Sequence, residues 1–383
     1  MDYRPALRSP TGVGAFVHEL ATALAGGDSS KFSRNNEVEL TLFSSSWKDR
    51  LGDPQSRKLP SGASTIDRRI PVRLLNFLWH RIEWPSIETI TQERFDVVHS
   101  PHPLLLPSRE AAQIITIHDL DFLDRQECAA NEIRRDYRDL VQKHARRATQ
   151  IVVPSHYTAG EVTRRLSISP DSISICPNGP PPWSPLSAPP NSGHLLFVGS
   201  LTPRKNVPLL LEAYGILTSR RGNVPDLVLA GLSSSNQESG WLDAIYKPPL
   251  AGKVHITGYV EKAALQEFYA NARVVVLPSL DEGFGLPALE AMTLGIPVVA
   301  SNRGALPEVV GDAGILADPT DPLAFVNAIE RLLDDQGLVT NCVKKGFVRA
   351  QSFSWKASAD SLRRVYFEAF HKHKNITRAE RPA

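Results

Sequence analysis

The segment Arg273–Gly311, RVVVLPSLDEGFGLPALEAMTLGIPVVASNRGALPEVVG, decides the fold of the second half of the chain. Val274–Leu277 is a short apolar run that ends at Pro278, which predicts a strand buried on both faces. Leu286–Leu294 has helical spacing, and Ile296–Ala300 is a second buried run. The order strand, glycine loop, helix, strand is typical of half a nucleotide-binding α/β domain.

The loop Asp281–Pro287 joins the first strand to the helix and carries two glycines. Pro287 suits the opening turn of the helix, because its missing N–H would have no partner there. Gly283 and Gly285 lack a Cβ atom, so the free N–H groups of this turn can approach a ligand closely. A helix N-terminus favours anions, and the loop therefore predicts a site for a pyrophosphate.

Two glutamates belong to this segment: Glu282 lies on the loop, and Glu290 follows eight positions later in the helix. Carboxylates beside a phosphate site would repel the phosphate, so we expect them to accept hydrogen bonds from neutral hydroxyls. A sugar nucleotide carries vicinal hydroxyls at both ends. The alternative for Glu290 alone is a contact with the helix dipole, worth roughly 0.3–1 kcal/mol.

The segment resembles the E-x7-E signature of the family 4 retaining glycosyltransferases, through its two glutamates and the strings GFGLP, PVVAS and LPEVVG. The resemblance implies an α/β protein with the GT-B fold, in which two Rossmann-like domains face a central cleft and a C-terminal helix crosses back to the first domain. It implies a catalytic role for Glu282. It implies donor-binding roles for Gly283, Phe284, Gly285, Leu286 and Glu290.

Proline-rich sequence marks the boundary between the two predicted domains. Pro177-Asn178-Gly179 resembles the turn that ends the first domain in the family, and the prolines that follow stiffen a linker. We expect an N-terminal acceptor-binding Rossmann-like domain over residues 1–182 and a C-terminal Rossmann-like domain that binds the nucleotide sugar over residues 191–355. Residues 356–383 would form the returning helix and a tail.

The composition is that of an ordinary globular protein, with 383 residues, 42% hydrophobic and 22% charged. The formal net charge of +2 combines 43 basic with 41 acidic residues, so no global field favours nucleic acid as a partner. No group of histidine, cysteine or carboxylate residues has metal-ligand spacing, and we expect neither a metal nor a cofactor. The polar start and the lack of a long apolar run predict a cytoplasmic protein.

Two features of the first domain predict contacts with the donor. Gly12 and Gly14 open a helix and resemble the family's N-terminal glycine loop, which faces the donor phosphates and the acceptor; a plain turn is the alternative. His118 ends a buried strand, where open α/β sheets bind ligands, and it resembles the histidine of the family's IHD string. The resemblance implies that His118 contacts the transferred sugar. We expect His99 and His102 to be structural.

A basic turn opens the second domain. The segment Gly199–Asn206, GSLTPRKN, follows a predicted strand and carries Arg204 and Lys205. Both cations are placed to bind a pyrophosphate, whose negative charge grows as the glycosidic bond breaks. In the family an arginine often follows the glycine directly, whereas this chain has Ser200 there. We expect Arg204 to supply the missing charge; a solvated pair of basic residues is the alternative.

Two segments of the first domain are candidates for peripheral contact with an anionic membrane, which would place the protein at the inner face of that membrane. A helix predicted over Ile133–Gln150 exposes basic residues, each of which adds about 1 kcal/mol near an anionic leaflet. Leu74–Trp84, LLNFLWHRIEW, clusters aromatic residues with arginines and is a candidate for either an acceptor-binding surface or a membrane surface. For this second segment we favour the alternative of an amphipathic helix packed on the sheet.

The predicted activity is the retaining, metal-independent transfer of a mannose-like or glucose-like hexose from a nucleotide-diphosphate sugar to a hydroxyl of a glycan or lipid-linked saccharide. The resemblance implies that the leaving phosphate helps to deprotonate the acceptor. Orientation and electrostatic stabilisation of the leaving group would drive the reaction. Two alternatives stay open: a sugar-nucleotide epimerase or phosphorylase of similar architecture, and a catalytically inactive relative that binds sugar nucleotides.

The start of the chain generates one further expectation. Asp2-Tyr3-Arg4 resembles a D-x-R string that follows a short apolar strand in the family, but only Met1 precedes it here. The first strand of a doubly wound sheet is central, and losing its buried side chains would remove on the order of 10 kcal/mol. We therefore expect either a start further upstream or a hole in the sheet beside Gly12.

Overall fold

The chain divides into two compact units, one of which combines Met1–Gly179 with Ser354–Ala383 while the other is Pro180–Phe353. Each unit is built on parallel strands covered by helices. The computed structural model describes residues 1–7, 12–26, 38–47, 49–51, 59–123, 137–188, 190, 192–232 and 239–379.

Within the described residues, every pair of neighbouring strands is parallel. The strands of the first unit are β1 (Thr41–Ser45), β2 (Ser64–Arg68), β3 (Val97–Ser100), β4 (Ala112–Thr116), β5 (Gln150–Val153) and β6 (Ile173–Ile175). Those of the second unit are β7 (His194–Val198), β8 (Leu227–Ala230), β9 (Val254–Gly258), β10 (Ala272–Leu277), β11 (Val298–Ser301) and β12 (Ile315–Ala317).

Helices connect most of these strands and cover the sheets. Those of the first unit before the linker are α1 (Arg4–Leu7), α2 (Gly12–Ala25), α3 (Val72–Arg81), α4 (Ile87–Thr91), α5 (Tyr137–Arg147) and α6 (His156–Leu166). The second unit has α7 (Val207–Arg220), α8 (Ser239–Leu242), α9 (Lys262–Ala270), α10 (Leu286–Leu294), α11 (Leu306–Val310), α12 (Pro322–Asp334) and α13 (Gln336–Gln351). The last helix, α14 (Trp355–Ala379), belongs to the first unit.

In the first unit, the strand pair β1-β2 is linked to the sheet β3-β4-β5-β6 by the first residues of the chain. The Asp2 N–H donates to the His99 carbonyl of β3 at 3.0 Å, and the Phe43 N–H of β1 donates to the Met1 carbonyl at 2.9 Å. Asp2 and Phe43 thereby form an isolated parallel bridge. The chain then turns into α1, so Arg4 lies at the edge formed by the carboxyl ends of β1 and β3.

The C-terminal helix α14 packs on the sheet of the first unit, as the resemblance implied. Its apolar residues join a core with α2 and the inward side chains of β4 and β5. The Arg363 guanidinium is buried and donates to the Leu24 carbonyl at 2.6 Å and to the Ala23 carbonyl at 3.2 Å. A cation at this position stabilises the C-terminus of α2, whose last carbonyl groups have no partner within the helix.

A buried hydrogen-bonded chain also fixes α14 to the sheet. The His99 ring of β3 is hydrogen-bonded through Nδ1 to the Tyr366 hydroxyl and through Nε2 to the Thr116 hydroxyl, both at 2.8 Å. Burial lowers the pKa of His99 to about 3, so the ring is neutral at pH 7. His99 is therefore a structural residue of the core.

The second unit has a six-stranded parallel sheet in the order β12-β11-β10-β7-β8-β9. This is the strand order of a doubly wound dinucleotide-binding fold, in which the order reverses between β7 and β10. Along β10, Val274 and Val276 belong to one core, while Val275 and Leu277 belong to the core on the opposite face. Burial on both faces explains why the strand is a continuous apolar run.

The structure confirms the strand, helix and strand predicted within Arg273–Gly311, as β10, α10 and β11. The prediction of a helix over Ile133–Gln150 is wrong at its end, because α5 stops at Arg147 and Gln150 begins β5. The apolar side chains of Ile151 to Val153 are fully buried in the sheet, and this burial decides the strand. Residues 133–136 lie outside the described residues.

Replacing Tyr366 with phenylalanine should destabilise the first unit. The variant leaves Nδ1 of the buried His99 without its hydroxyl partner, and we expect a loss of about 1–3 kcal/mol of unfolding free energy. Hydrogen–deuterium exchange of β3 and β4 peptides in increasing urea measures it. Tyr246→Phe is the control, because the Tyr246 side chain is 77% exposed. Unchanged exchange in Tyr366→Phe would show that this contact does not hold the helix.

Candidate functional site

Two loops of the second unit meet where the strand order reverses. One follows β7 and runs from Gly199 to Asn206; the other follows β10 and runs from Pro278 to Gly285. The Leu280 N–H donates to the Arg204 carbonyl at 2.8 Å, so the two loops are joined by their backbones. In doubly wound sheets this crevice at the carboxyl ends of the strands binds ligands.

The Glu282 carboxylate lies between both predicted phosphate-binding cations. Its Oε1 atom accepts a hydrogen bond from Lys205 Nζ and another, at 2.8 Å, from the Ser279 hydroxyl. Its Oε2 atom accepts one from Arg204 Nη1 at 3.0 Å. The same Arg204 nitrogen also donates to the Asp281 carbonyl at 2.7 Å. Glu282, Lys205 and Arg204 therefore form one charge cluster.

This cluster is almost excluded from solvent, since Glu282 and Lys205 are each only 7% exposed. Burial acts to raise the pKa of Glu282, but the charges of Lys205 and Arg204 outweigh it and hold this pKa below its ordinary value. The carboxylate is therefore ionised at neutral pH. Two cations against one anion leave these three groups with a net positive charge, which suits an anionic ligand.

Two glycines make this arrangement possible. Gly199 has a φ of +146°, and a Cβ atom there would lie 3.2 Å from Lys205 Cε and 3.4 Å from its Nζ. Gly285 has a φ of +103°, and its Cβ would lie 2.7 Å from Leu306 Cδ2. A side chain at the first position would push against the lysine, and one at the second would disturb the start of α10.

The predicted donor-binding string lies at the N-terminus of α10, where Gly285 is the cap and Leu286 the first helical residue. The Phe284 ring points into the core, where it is 6% exposed and contacts Phe353 edge-on with 5.5 Å between the ring centroids. Phe284 can therefore reach a ligand only through its backbone. Gly283 is buried and Leu286 is half-buried.

Glu290 lies on α10 and is held by a residue that sequence reasoning missed. The Tyr269 hydroxyl donates to Glu290 Oε2 at 2.7 Å, and the Tyr269 ring is fully buried beside Trp183. Burial and then the Glu290 charge raise the pKa of Tyr269 well above its ordinary value, so the hydroxyl keeps its proton. A buried tyrosine hydroxyl needs a partner, but the sequence does not say which.

In the first unit, His118 lies beside α2, the helix that Gly12 begins. The Phe16 ring of α2 meets the His118 ring edge-on, with 4.7 Å between centroids. His118 Nε2 lies 3.1 Å from the Pro101 carbonyl, which can only accept, so Nε2 carries the proton. Burial lowers the pKa of His118, and the neutral ring keeps Nδ1 as an acceptor. Gly12 begins α2 and Gly14 lies in its first turn.

Two further properties concern the described part of the chain. Within it, no three or more histidine, cysteine, aspartate or glutamate residues are grouped so that they could hold a metal ion. None of its helices is long and apolar enough to cross a membrane.

Comparison with known proteins identifies the family. Residues 10–182 match the family model described as Glycosyltransferase Family 4, and residues 185–349 match the one described as Glycosyl transferases group 1. The chain is 32% identical over 272 residues to O-antigen chain mannosyltransferase B of Escherichia coli, covering 68% of this chain and 71% of that protein. The chain belongs to the group 1 glycosyltransferases.

Other relatives agree with this assignment. The glycosyltransferase is 29% identical over 295 residues to the MMP alpha-(1->4)-mannosyltransferase of Mycolicibacterium hassiacum, covering 72% of this chain and 71% of that one. Sucrose-phosphate synthase from Thermosynechococcus elongatus has a similar structure, with a TM-score of 0.72, 22% identity and 94% of each chain covered. The glycosyltransferase therefore has the GT-B fold.

Removing one member of the charge cluster should destabilise the second unit more than removing the pair. Lys205→Met leaves the buried Glu282 with fewer partners, and breaking such a pair costs about 3–5 kcal/mol. The double variant Lys205→Met/Glu282→Leu buries apolar groups instead, and Arg204 keeps its hydrogen bond to the Asp281 carbonyl, so this variant should recover part of the loss. Urea unfolding followed by exchange of β7 and β10 peptides measures both effects.

Lys247→Met is the matched control, because Lys247 is exposed in the same unit. It should leave the urea midpoint unchanged. A double variant less stable than Lys205→Met alone would show that the lysine and the carboxylate do not act as a pair.

Proposed function

We propose that this glycosyltransferase transfers a hexose, with retention, from a nucleotide-diphosphate sugar to a hydroxyl of a glycan or lipid-linked saccharide. The observation that supports this proposal is the cluster of Lys205, Arg204 and Glu282 at the switch point of the second sheet. The cations and the N-terminus of α10 favour a pyrophosphate. They would stabilise the negative charge that develops on the leaving phosphate.

The hydrogen bonds of Glu282 suggest how it would meet the donor sugar. A carboxylate has about four lone-pair positions. Lys205 and Ser279 occupy two on Oε1, and Arg204 occupies one on Oε2. Counting only the contacts among the described residues, one position on Oε2 would be left for a ligand. Glu282 would accept a single sugar hydroxyl while it holds both cations in place.

The other predicted residues take complementary roles in this proposal. Glu290, oriented by Tyr269, would accept hydrogen bonds from the ribose hydroxyls. His118 would accept a hydrogen bond from a hexose hydroxyl at Nδ1, because its only ring proton is on Nε2 and is donated to a backbone carbonyl. Gly12 and Gly14 would bring the start of α2 to the donor phosphates or the acceptor.

The proposed hexose is mannose. Two relatives support this choice by their names, the O-antigen chain mannosyltransferase B and the MMP alpha-(1->4)-mannosyltransferase. A thermal-shift panel of UDP-, GDP-, ADP- and dTDP-sugars identifies the donor, because a ligand at 100 times its Kd adds about 2.7 kcal/mol of stability. NMR of the product then gives its anomeric configuration. Inversion would refute the proposed mechanism.

Incubation with the donor alone separates the alternatives. An epimerase would convert the donor sugar without an acceptor, and a phosphorylase would need inorganic phosphate. A catalytically inactive relative would bind the nucleotide and turn over no donor with any acceptor. We expect transfer only when both the donor and a saccharide acceptor are present.

Substitutions at the two glutamates should have different effects. Glu290→Ala should weaken binding of the free nucleoside diphosphate by about tenfold, the cost of a charge-assisted hydrogen bond. Tyr269→Phe should weaken it less, because the carboxylate remains. Glu282→Ala should abolish transfer but lower nucleotide affinity less than Glu290→Ala does, because Lys205 and Arg204 remain to bind the phosphates. Isothermal titration calorimetry and a transfer assay measure the two properties.

Glu267→Ala serves as the control, since Glu267 is exposed on α9, the helix that carries Tyr269. It should bind nucleotide like the wild type. Equal losses of nucleotide affinity in Glu290→Ala and Glu282→Ala would overturn the division of roles.

We also propose a peripheral membrane contact through the first unit. The segment around α3 exposes apolar side chains, namely Leu74 (50%), Phe77 (48%), Ile82 (59%) and Trp84 (55%). Glu83 pairs with Lys143 at 3.2 Å and Arg147 at 2.6 Å, so α5 adjoins this segment, and the single charge of Glu83 offsets one of these two positive charges. Arg138 and Arg146 are exposed on α5. Apolar and basic groups together are what stable peripheral binding requires.

Removal of these groups should weaken binding to cardiolipin vesicles at low salt. Each of Arg138→Glu and Arg146→Glu should cost at least about fivefold, because the loss of one basic residue is worth about 1 kcal/mol and the new carboxylate adds repulsion. Phe77→Ser with Trp84→Ser should weaken binding further, whereas Tyr246→Ser in the second unit should not. Cosedimentation measures the effect. Failure of the wild type to sediment with the vesicles would end this proposal.

A further inference from the structure

A cavity of about 200 Å³, lined by both apolar and charged side chains, lies in the first unit, apart from every residue assigned so far to the donor. It sits beside the carboxyl ends of the strands. Its wall includes Ser45 and Ser46 from the end of β1, and His102 from the segment after β3. Asp2 and Arg4, from the start of the chain, also line it. This edge of an α/β sheet is where ligands bind.

The cavity contains a buried and rigid ion pair. Arg4 Nε and Nη2 donate to the two oxygens of Asp2 at 2.9 and 2.7 Å, and Asp2 is fully buried. Burial acts to raise the pKa of Asp2, but the Arg4 guanidinium holds it well below its usual range. The guanidinium also lies 4.7 Å from the centroid of the Trp79 ring. The pair is thus charged and held in one orientation.

The hydrogen-bonding groups of the pair are not all used. A guanidinium has five N–H groups, and those of Arg4 make three side-chain hydrogen bonds, two to Asp2 and one to Asn76 Oδ1 at 2.9 Å. Because arginine only donates, the Asn76 oxygen faces it. Within the described residues, two Arg4 N–H groups and the Asn76 amide donors have no acceptor. The Ser45 hydroxyl donates to the Ile70 carbonyl at 2.8 Å and can still accept a hydrogen bond, and Ser46 and Asp49 also line this wall.

Charge and size restrict the ligand. Asp2 and Asp49 carry two negative charges against the one of Arg4, and counting His102 as a cation only brings the sum to zero. A phosphate or carboxylate would gain nothing here, whereas sugar hydroxyls both donate and accept. At about 30 Å³ per water, the volume equals roughly seven waters, enough for one sugar ring but not for a chain of them.

We propose that this cavity binds one neutral sugar ring of the acceptor. The assignment to the acceptor rests on the proposed function, because a donor would bring a pyrophosphate that this cavity lacks the charge to hold. Val72 and Asn76 line the cavity from α3, the helix that exposes Leu74 and Phe77. The saccharide of a lipid-linked acceptor would thus lie beside an apolar surface suited to its lipid.

A cavity-filling variant tests this proposal without touching the ion pair. Val72→Trp should occupy the cavity, and Val348→Trp is the same change at a residue 66% exposed in the second unit. Methyl glycosides of mannose, glucose and galactose are the probes, with affinity measured by saturation-transfer NMR on the full chain. We expect Val72→Trp to weaken binding by about tenfold or more, or about 1.4 kcal/mol, and Val348→Trp to leave it unchanged.

Asn76→Ala provides a second variant in case Val72→Trp fails to fold, which circular dichroism would show. It removes the amide donors and should weaken glycoside binding severalfold. The proposal is overturned if the wild type binds no neutral glycoside. It is also overturned if both variants bind the glycosides as tightly as the wild type does. Mannose 1-phosphate is a further probe. If it binds more tightly than methyl mannoside, and Val72→Trp weakens its binding, the proposal that the ligand is neutral is overturned.

Kinetics with the identified donor separate this inference from the proposed function. Val72→Trp should raise the KM of a saccharide acceptor and leave the KM of the donor unchanged. A raised donor KM would place the ring on the donor and overturn the proposal. If the wild type neither binds nucleotides nor transfers sugar, the proposed function fails, and the assignment to an acceptor is overturned with it.

Discussion

The ion pairs of Glu282 impose the main constraint on the second unit. A buried carboxylate without partners is too costly to keep charged, so Lys205 and Arg204 must reach it from the loop on the neighbouring strand. That requirement ties the loops after β7 and β10 together and demands a glycine at position 199, where a Cβ would press on the lysine. The cations are thereby preorganised and need little rearrangement when an anion binds.

The first unit also contains a buried carboxylate, which is compensated by a cation from the same short segment of the chain. Its buried pair, Asp2 and Arg4, comes from one short segment and is braced by Asn76 and by the ring of Trp79. The sheet beneath is fixed by α14, which Tyr366 anchors. In both units a costly buried charge lies at the carboxyl ends of parallel strands, on a rigid support. Rigid placement of polar groups is what recognition of a polar ligand requires.

Local patterns predicted the strands and helices that are long, apolar and bounded by glycine or proline, such as β7, β10 and α10. They missed α9 and α13, whose sequences lack such boundaries, and also β12, which lies between Gly314 and Pro319 but is too short, at three residues, to show a pattern. The residue types of the site could be predicted from the sequence, but the contacts between them could not. That Tyr269 orients Glu290, and that Lys205 meets Glu282 77 positions away, depends on tertiary packing. The cavity around Asp2 combines residues from four separate segments, and no local pattern predicts it.

The turn after β7 shows how this chain departs from its family's pattern and keeps the charge. Where the family often has an arginine directly after the glycine, this chain has the exposed Ser200. Arg204 lies four positions later, and its guanidinium reaches the same carboxylate as Lys205. In the proposed function, Arg204 supplies from a different position the charge that this arginine supplies in the family. Because Arg204 is tied to both the Glu282 carboxylate and the Asp281 carbonyl, its charge is fixed to the glycine loop, and a phosphate at the N-terminus of α10 would meet it without a rearrangement of the backbone.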